Sequence, residues 1–582
     1  MSWNGWRRSV SAGAFALMMS GVAGLAGAQN ILVDTVEDVT DFGGAQQVND
    51  LPGPDGKVSF REAVEAANNT PGPQRVAFAI PMSEWWLHSD KATLKLEIGA
   101  VSLTDDETTL DFATQTLFTG DTNPIGNEVA IYGLEPNGWG TAAIFVFGDR
   151  CVIKGLDSVQ QRGHAVELVG HDNRVIGCTL SGAWHSDIIV SGWSEPATGN
   201  IIGGTGPGEG NTATSIDLTG PCDGNIVIGN RVTGDGIKVE GVIRYGIIAS
   251  NNRIGGSEPG EGNVIVSVGR YGEEGFPIGE NIELVDATDT IVEGNFIGVE
   301  ADGRTVVSQR GPTGIEVRGS VGSVIRNNVI GGIRVVGVNH YSGQLFGRGI
   351  EVWSTTEDTT IENNSIGIDP SGQFPIPNLL GIEVKPWTYR EIPVGTVIGG
   401  DGSRGNRIAF NEREGVRVYD GVIDAVIRGN EIFFNGALGI DLLAWGGATG
   451  VTPNDVGDGD TGANDLQNFP VIQKATRLEG STKVRATLDS LPNETFVVEL
   501  FASTTVDSSG FGEAQRFLGA VTVQTDASGH ADLQVQLQAA TQVGEWISST
   551  ATLVGGGTSE LSASVRVVPM TPGANGPPVL TR

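Results

Sequence analysis

Aliphatic and polar residues alternate in short runs along residues 150–445, and most of these runs contain glycine or asparagine at a bend. The alternation predicts short β-strands with one apolar face. Gly-Asn and Asn-Asn pairs predict sharp bends, because both residues tolerate a left-handed backbone. The clearest runs are IVIGNRV (226–232), IIASNNRI (247–254), TIVEGNFI (290–297), SVIRNNVI (323–330), TIENNSI (360–366) and AVIRGNEI (425–432). Each run therefore predicts a strand, a bend and a second strand.

The asparagine that follows the Gly or Asn of each bend holds the same place in the repeat. We expect these amides to stack on one bend of successive coils, where each can donate and accept hydrogen bonds. They are Asn230, Asn252, Asn295, Asn328, Asn364 and Asn430. A twelve-residue phrase occurs as NIIGGTGPGEGN (200–211) and again as NRIGGSEPGEGN (252–263), and it predicts a longer loop that leaves one corner.

A second pattern places one polar residue between two aliphatic residues. It occurs as GIKV (236–239), NIEL (281–284), GIEV (314–317, 349–352 and 381–384), GVRV (415–418) and GIDL (439–442), with AVEL (165–168) and SIDL (215–218) as earlier members. The two patterns keep a constant order, which neither antiparallel hairpins nor a four-stranded propeller blade explains. The sequence thus predicts an all-β fold with a parallel β-helix over residues 101–445.

Both ends of this solenoid have their own predicted structure. Residues 29–100 are expected to hold a helical cap and the first coils, because Ser59 and Glu62 form a capping box before a helix face of Phe60, Ala63, Val64 and Ala67. Strand-like runs over 471–569 predict an immunoglobulin- or fibronectin-like β-sandwich. An Asp/Gly-rich junction (446–470) lies between, and residues 570–582 are expected to be a disordered tail.

The first 28 residues predict export. Arg7 and Arg8 precede an apolar run, and an A-x-A-like site ends at Ala28, as in a cleaved signal peptide; Sec-type export is favoured over twin-arginine export. We therefore expect a secreted or cell-surface protein without a membrane span. The formal net charge of −33 opposes binding to nucleic acid. Cys151, Cys178 and Cys222 are expected to be buried thiols, with one disulfide as the alternative.

Four motifs carry a resemblance to a known family. They are VSFREAVEAAN (58–68), the NxIGG…PGEGN repeats, residues 432–472 and residues 508–531. In this order they resemble exported bacterial right-handed parallel β-helix proteins with a CSLREA-type N-terminal motif, although Val58 stands where that motif has Cys. The resemblance implies a right-handed helix and export. It implies no particular chemistry.

The polar residues of the second pattern are expected to form one outward row. This row holds Asp217, Lys238, Glu283, Glu316, Glu351, Glu383, Arg417 and Asp441, and Arg318, Trp353, Lys385 and Tyr419 lie two positions further along their strands. Neighbouring rungs of a parallel sheet are about 4.8 Å apart. One interpretation is a solvated ladder in which Arg318, Lys385 and Arg417 offset three glutamates. The other is a polysaccharide-binding groove formed by Glu316, Arg318, Glu351, Trp353, Glu383, Lys385, Arg417 and Tyr419.

Two further clusters contain residues of the types used in catalysis or metal binding. Asp235, Lys238 and Arg244 are weak catalytic candidates for a polysaccharide lyase or glycoside hydrolase, and no Ser-His-Asp set or HExxH motif was found. Asp455, Asp458, Asp460, Asn464 and Asp465 offer hard oxygen ligands on a Gly-rich segment, which suits a structural calcium ion; the alternative is a polar linker.

Three functions remain open on the sequence. The favoured one is a binding protein for polysaccharide or another cell-surface glycan, since no clear catalytic constellation is present. The second is a lyase or hydrolase acting on the same face, and the third is a purely structural role in the cell envelope. Fold alone does not decide between them. The sequence predicts no cofactor besides this calcium and leaves the oligomeric state open.

Overall fold

The computed structural model describes residues 28–41, 45–133, 142–157, 159–160, 162–266, 270–271, 277–278, 280–307, 311–334, 347–444 and 449–570. The predicted signal peptide and tail lie outside these residues, apart from Ala28 and Met570. The chain forms two compact units. The N-terminal unit comprises residues 1–268 and 282–295, and the C-terminal unit comprises 269–281 and 296–582.

The N-terminal unit is built from parallel sheets to which successive coils add their strands. The first sheet contains Gln29–Val33, Gln74–Phe78, Thr109–Asp111, Val152–Lys154, Arg174–Ile176, Ile201–Gly203, Ile226–Ile228, Arg253–Gly255 and Ile291–Glu293. The second contains Val101–Leu103, Ala142–Val146, His164–Leu168, Ile188–Val190, Thr212–Thr219, Arg231–Glu240, Val264–Ile265 and Ile282–Val285. The third contains Ala197–Thr198, Cys222–Asp223, Ala249–Ser250 and Ala287–Thr288. A fourth, shorter sheet contains Ala92–Leu96, Val129–Gly133 and Val159–Gln160.

Helix Phe60–Asn68 lies near the start of the chain, as predicted. Ser59 Oγ accepts a hydrogen bond from the Glu62 backbone N–H (3.1 Å), and the Glu62 carboxylate accepts one from the Ser59 N–H (3.0 Å). Phe60 packs against Phe78 and Phe112, with ring centroids 5.9 and 5.7 Å away. The expected capping box and buried helix face are therefore confirmed. A short helix, Thr114–Thr119, and the 3-10 turns Val48–Asp50, Met82–Glu84 and Ile243–Tyr245 complete this unit.

The C-terminal unit repeats the same coil. Its first set of parallel strands is Val324–Arg326, Thr360–Glu362, Val397–Gly399 and Val426–Arg428. A second set is Phe296–Ile297, Val329–Ile330, Ser365–Ile366, Arg407–Ala409 and Glu431–Phe433. A third set is Thr313–Arg318, Arg348–Trp353, Leu380–Lys385, Val416–Val418 and Ile440–Leu442. A small antiparallel pair, Arg270–Tyr271 with Pro277–Ile278, and the 3-10 turns Gly402–Arg404 and Ala463–Leu466 belong to the same unit. The predicted parallel β-helix is confirmed.

Seven longer strands follow the solenoid, and we call them the C-terminal sheet. In the order of their pairing they are Arg516–Gln524, Thr495–Ser503, Trp546–Leu553, Val565–Pro569, Val471–Leu478, Ser481–Asp489 and His530–Leu537. Alternate residues such as Val484, Val498 and Leu533 enter one shared hydrophobic cluster. The strand runs agree with the sequence pattern, while the two-layer sandwich stays a prediction.

Asparagine side chains join successive coils through buried ladders. In most steps one Oδ1 accepts from both the backbone N–H and the Nδ2 of the asparagine one coil earlier, for example Asn225 from Asn200 at 2.9 and 3.0 Å. The step from Asn173 to Asn200 uses the backbone N–H, and the step from Asn378 to Asn411 uses Nδ2. The N-terminal unit has two ladders, Asn173–Asn200–Asn225–Asn252 and Asn211–Asn230–Asn263–Asn295. The C-terminal unit has Asn328–Asn364–Asn406–Asn430 and Asn378–Asn411–Asn435. These bonds satisfy backbone groups at the corners, which strand pairing leaves free.

The single column predicted from sequence is therefore wrong for one residue. Asn230 follows the first-sheet strand Ile226–Ile228, whereas Asn252 precedes the first-sheet strand Arg253–Gly255. The two residues occupy different bends of the coil. The twelve-residue phrase spans both bends, because it begins at a residue of one ladder (Asn200) and ends at a residue of the other (Asn211).

The last coil is covered by acidic side chains from the C-terminal sheet and from the segments that connect its strands. Backbone N–H groups of the coil donate to Glu499 (from Gly429, 2.8 Å), Glu513 (from Phe434, 2.6 Å) and Glu560 (from Leu442, 3.0 Å). All three glutamates are buried. They supply the acceptors that a further coil would otherwise provide, so they close an edge that would be open to further pairing.

Candidate functional site

Polar residues of the third strand set of the C-terminal unit stack in register. Glu316 pairs with Glu351, Glu351 with Glu383, Glu383 with Arg417 and Arg417 with Asp441. We call these five residues the charged row. Their aliphatic neighbours on either side, such as Ile382 and Val384, are fully buried on the opposite face of the strand. The predicted stacking is confirmed.

The charged row is not solvated, which corrects the first interpretation of the sequence. Glu316, Glu351 and Glu383 expose 8%, 5% and 0% of their surface. The carboxylates point away from the aliphatic core, and long cationic side chains on the same face take up the space around them. The sequence predicted a solvated ladder because strand alternation indicates on which face a side chain lies, but not how far neighbouring side chains extend over it.

Ion pairs neutralise the row internally, as predicted, but with more members. Glu383 lies between Arg348, Lys385 (3.6 Å) and Arg417 (3.5 Å), and Arg348 also contacts Glu351 (3.3 Å). Glu316 is 3.5 Å from Arg318. Lys385 also contacts Glu351, and Arg417 contacts Glu414. The row is thus an alternating network of buried charge.

Arg348 and Glu414 were missed from the sequence. Each is the residue directly before the glycine of its repeat, in RGIEV (348–352) and EGVRV (414–418). The other repeats of the set have Thr313, Leu380 and Leu438 there, so the position carries no constant chemical signature. A charged residue at this position beside a row of opposite charges is the signal that could have identified both.

The network fixes the charge state of its central carboxylate. Burial alone would raise the pKa of Glu383, but Arg348, Lys385 and Arg417 overcome it and hold the pKa at about 2. Burial together with the negative charge of Glu383 raises the pKa of Tyr419. Glu383 therefore stays ionised at neutral pH and Tyr419 stays a neutral hydroxyl. These states suit electrostatic support better than proton transfer.

Aromatic side chains lie at the solvent edge of the row. The rings of Trp353 and Trp387 meet edge to face at 5.0 Å. Arg318 and Lys385 lie 5.5 and 5.6 Å from the Trp353 ring centre, within cation–π range. Trp387 and Tyr389 are exposed by 63% and 80%. The eight predicted binding residues thus share one face, and Trp387 with Tyr389 extends it.

Of the weak catalytic candidates, Lys238 belongs to a corresponding row in the N-terminal unit. Lys238 pairs in register with Asp217 and Glu283, and its ammonium lies 2.8 Å from Glu240 and 3.7 Å from Glu283. Burial raises the pKa of Asp217 to about 6, and Asp235 contributes to this through its charge. Arg244 is exposed in a 3-10 turn, with its guanidinium 4.8 Å from the ring of Tyr245. Lys238 thus stands among carboxylates, and a catalytic role for the set stays a prediction.

Three of the predicted calcium ligands come together. Oxygen atoms of Asp455, Asp458 and Asp460 lie within 4.8 Å of one another. Burial and the charge of Asp455 raise the pKa of Asp460, a repulsion that a divalent cation would relieve. The side chain of Asn464 makes other hydrogen bonds. Its Oδ1 accepts from the Ala425 N–H, and its Nδ2 donates to the carbonyl oxygens of Ala425 and Thr558.

Asp465 is exposed and is not among the three clustered aspartates, so two of the five predicted ligands do not join the cluster. Asn464 and Asp465 nevertheless line the same cavity as Asp458 and Asp460. The Asn464 amide also fastens the end of the solenoid to the C-terminal sheet, a demand that arises only in the folded chain. A ligand role for Asn464 and Asp465 stays a prediction.

Adding calcium in millimolar excess is expected to raise the melting temperature by a few degrees, since a ligand at 100 times its Kd stabilises a fold by about 2.7 kcal/mol. Thermal scans with and without the ion check this. The Asp460→Asn variant is expected to lose the rise. Asp532→Asn, which changes a side chain that is 81% exposed, is the matched control. No rise in the wild type, or an equal rise in Asp460→Asn, would contradict calcium binding at these aspartates.

None of the helices in the described part of the chain has the length and apolar character needed to span a lipid bilayer.

Comparison with known proteins gives likeness in structure alone. No protein-family model and no curated protein matches the sequence. The Dettilon tailspike protein is similar with a TM-score of 0.43 and 11% identity, over 88% of this chain and 93% of the tailspike chain. A Paenibacillus alginate lyase has a TM-score of 0.26 and 14% identity, over 65% and 96%. A tailspike mutant of E. coli bacteriophage HK620, in complex with a pentasaccharide, has 0.29 and 12%, over 86% and 91%. The function is therefore inferred from the chain's own residues.

Proposed function

We propose that this protein is exported and binds acidic polysaccharide along the charged row and the aromatic side chains at its edge. The observation that carries the proposal is the order of charge from core to solvent. Acids lie deepest, cations lie above them, and indole rings lie outermost. A ligand approaching from solvent therefore meets cations and aromatic faces before it meets carboxylates.

The exposure of the side chains supports this order. The Arg318 side chain is 36% exposed while its partner Glu316 is 10% exposed. Lys385 and Arg417 are likewise more exposed than Glu383, which is fully buried. Because the buried acids fix the cations in place, little side-chain entropy remains to be lost when a carboxylate ligand binds. Uronic acid residues supply such carboxylates at regular intervals.

The aromatic residues suit the other part of a sugar. The exposed ring of Trp387 stands against Trp353, which holds it at a fixed angle. Sugar rings present an apolar C–H face that packs on an aromatic ring, and such contacts remove apolar surface from water. An acidic glycan could therefore place its ring on Trp387 and its carboxylate near Arg318. The long row of rungs suits a chain ligand better than a single sugar.

A lyase or glycoside hydrolase is the second candidate function. Its supporting observation is the row of Asp217, Lys238 and Glu283 in the N-terminal unit, where a carboxyl with a pKa of about 6 shares a sheet face with a lysine and a second acid. Paired carboxyls serve hydrolysis, and a basic residue serves elimination. The internal ion pairs of Lys238 make binding the favoured function.

Trp387→Ala is expected to weaken binding of alginate and pectate hexasaccharides about tenfold, a loss of about 1.4 kcal/mol, because the stacking surface is removed. Arg318→Gln is expected to weaken it by a similar factor and to reduce its salt dependence. Isothermal titration calorimetry of residues 29–582 measures both. Trp86→Ala is the matched control, since Trp86 is 46% exposed and lies in the N-terminal unit.

Unchanged affinity in both variants would refute binding at this surface. The same mixtures, followed by ultraviolet absorbance for unsaturated products, separate binding from elimination, and a reducing-end assay does so for hydrolysis. Steady turnover that is lost in Lys238→Ala would establish the enzymatic alternative instead. Binding without turnover would support the proposed function.

A further inference from the structure

A second aromatic surface lies on the N-terminal unit and contains none of the residues predicted from sequence to bind a ligand. Phe145 pairs in register with Glu167, and Glu167 with Ile189, so these residues occupy successive rungs of one sheet face. Trp193 follows the strand Ile188–Val190 on the next segment of chain. The register places Phe145 beside Glu167, and Trp193, in the segment after its strand, contacts both.

The rings form a rigid corner. Phe145 and Phe147 lie nearly parallel at 5.7 Å, and Trp193 meets both edge to face, at 5.8 and 5.2 Å. The indole Nε1–H donates a hydrogen bond to Glu167 Oε1 at 3.0 Å. The polar edge of the indole is thus tied to the sheet, while the ring as a whole remains 60% exposed. The open face of Trp193 is held ready for a ligand.

Glu167 supplies the polar half of the same surface. Only 6% of the surface of Glu167 is exposed. Its Oε1 accepts the hydrogen bond from Trp193, and its second oxygen, Oε2, is not among the fully buried polar atoms of the described residues that lack a partner, so it is accessible to solvent. This oxygen is therefore available to accept a hydrogen bond from water or from a ligand hydroxyl beside the exposed indole.

We propose that Trp193, Phe145, Phe147 and Glu167 form a second carbohydrate site that binds a neutral sugar ring. The apolar face of the ring packs on the indole, and a ring hydroxyl donates a hydrogen bond to Glu167 Oε2. This site goes beyond the acidic-glycan site of the C-terminal unit and does not depend on it.

Charge selects neutral sugars at this site. Two rungs further along the same face stands Asp217, and the next residue in register, Lys238, is already paired with Glu240 and Glu283. A uronate carboxylate at the Trp193 corner would face the Glu167 carboxylate at a few ångströms, an unfavourable contact in a partly buried environment. At the charged row the cations lie outermost, so the two sites are expected to differ in ligand charge.

Calorimetric titration of residues 29–582 with cellohexaose, maltohexaose and mannohexaose tests the proposal. At least one neutral hexasaccharide is expected to bind, and Trp193→Ala is expected to weaken it tenfold or more. Glu167→Gln is expected to weaken it several-fold, because the amide removes one acceptor while the fold keeps a similar side chain. Trp184→Ala is the matched control, since Trp184 is 58% exposed and its ring is covered by Arg162 at 5.5 Å.

Each outcome decides the proposal. Neutral binding that is lost in Trp193→Ala and kept in Trp184→Ala and Trp387→Ala supports a separate site. The proposal is overturned if no neutral hexasaccharide binds, or if Trp184→Ala weakens neutral binding as much as Trp193→Ala does. It is also overturned if Trp193→Ala weakens alginate binding and leaves neutral binding unchanged. Because alginate binding through Trp387 is measured in the same series, failure of the neutral site is distinguished from failure of the proposed function.

Discussion

Replacing Glu383 with alanine is expected to lower the free energy of unfolding by about 3–5 kcal/mol, the usual cost of removing one partner of a buried ion pair. Glu383 is fully buried and lies among Arg348, Lys385 and Arg417. Without its carboxylate, Arg348 and Lys385 keep their ion pairs with Glu351, and Arg417 keeps its ion pair with Glu414. Equilibrium denaturation with urea at neutral pH measures the loss.

Glu431→Ala is the matched control for this variant. Glu431 is a glutamate of the same unit that pairs with Arg407 at 2.8 Å, but both side chains are 36% exposed. A surface pair of this kind contributes about 0–1 kcal/mol. If Glu383→Ala were no more destabilising than Glu431→Ala, the buried network would contribute little to stability.

The acid limb of the stability profile provides a second measurement on the same residue. The pKa of Glu383 is lowered from 4.5 to about 2 in the fold. The unfolded chain therefore binds the proton first, so this contribution is complete above pH about 4.5 and is lost as pH falls toward 2. Glu383→Gln is expected to show a shallower decline in that range than the wild type.

The charged row illustrates what the sequence could and could not predict. The repeated GIEV segments predicted that Glu316, Glu351 and Glu383 stack, because a regular repeat keeps the register of neighbouring coils. Their burial was not predicted, because it depends on the reach of Arg348 and on other side chains that converge only in the folded chain. Periodicity determines which residues are neighbours, whereas exposure depends on the sizes of everything around them.

The asparagine ladders and the aromatic corner show the same division. That amides would stack was predictable from the Gly-Asn and Asn-Asn pairs. The assignment of Asn252 to the other bend required knowing which strand each asparagine adjoins. The corner of Phe145, Phe147 and Trp193 lies in a stretch where the repeats are weakest, and Phe145 replaces the polar residue of the pattern. No regular spacing in the sequence predicts that Phe145 and Trp193 lie in contact.

The end of the solenoid provides the second large effect. Glu560 accepts hydrogen bonds from two backbone N–H groups, Leu442 and Thr452, both at 3.0 Å. Only 3% of the surface of Glu560 is exposed. Leu442 is 1% exposed, so its N–H has little access to water as an alternative partner, while Thr452 is half-buried. Glu560 therefore matters both to the last coil and to the attachment of the sheet that follows it.

Glu560→Ala is expected to lower the free energy of unfolding by about 2–5 kcal/mol, because each buried N–H left without an acceptor costs about 1–3 kcal/mol. Urea denaturation measures the loss. Hydrogen exchange at the Leu442 amide is expected to be faster in the variant than in the wild type, with a smaller change at the amide of Val352, which lies within the stack. Glu479→Ala, which truncates an exposed glutamate of the C-terminal sheet, is the matched control. Wild-type stability and unchanged exchange at Leu442 would show that the last coil does not need this acceptor, and the edge would then have to be closed mainly by Glu499 and Glu513.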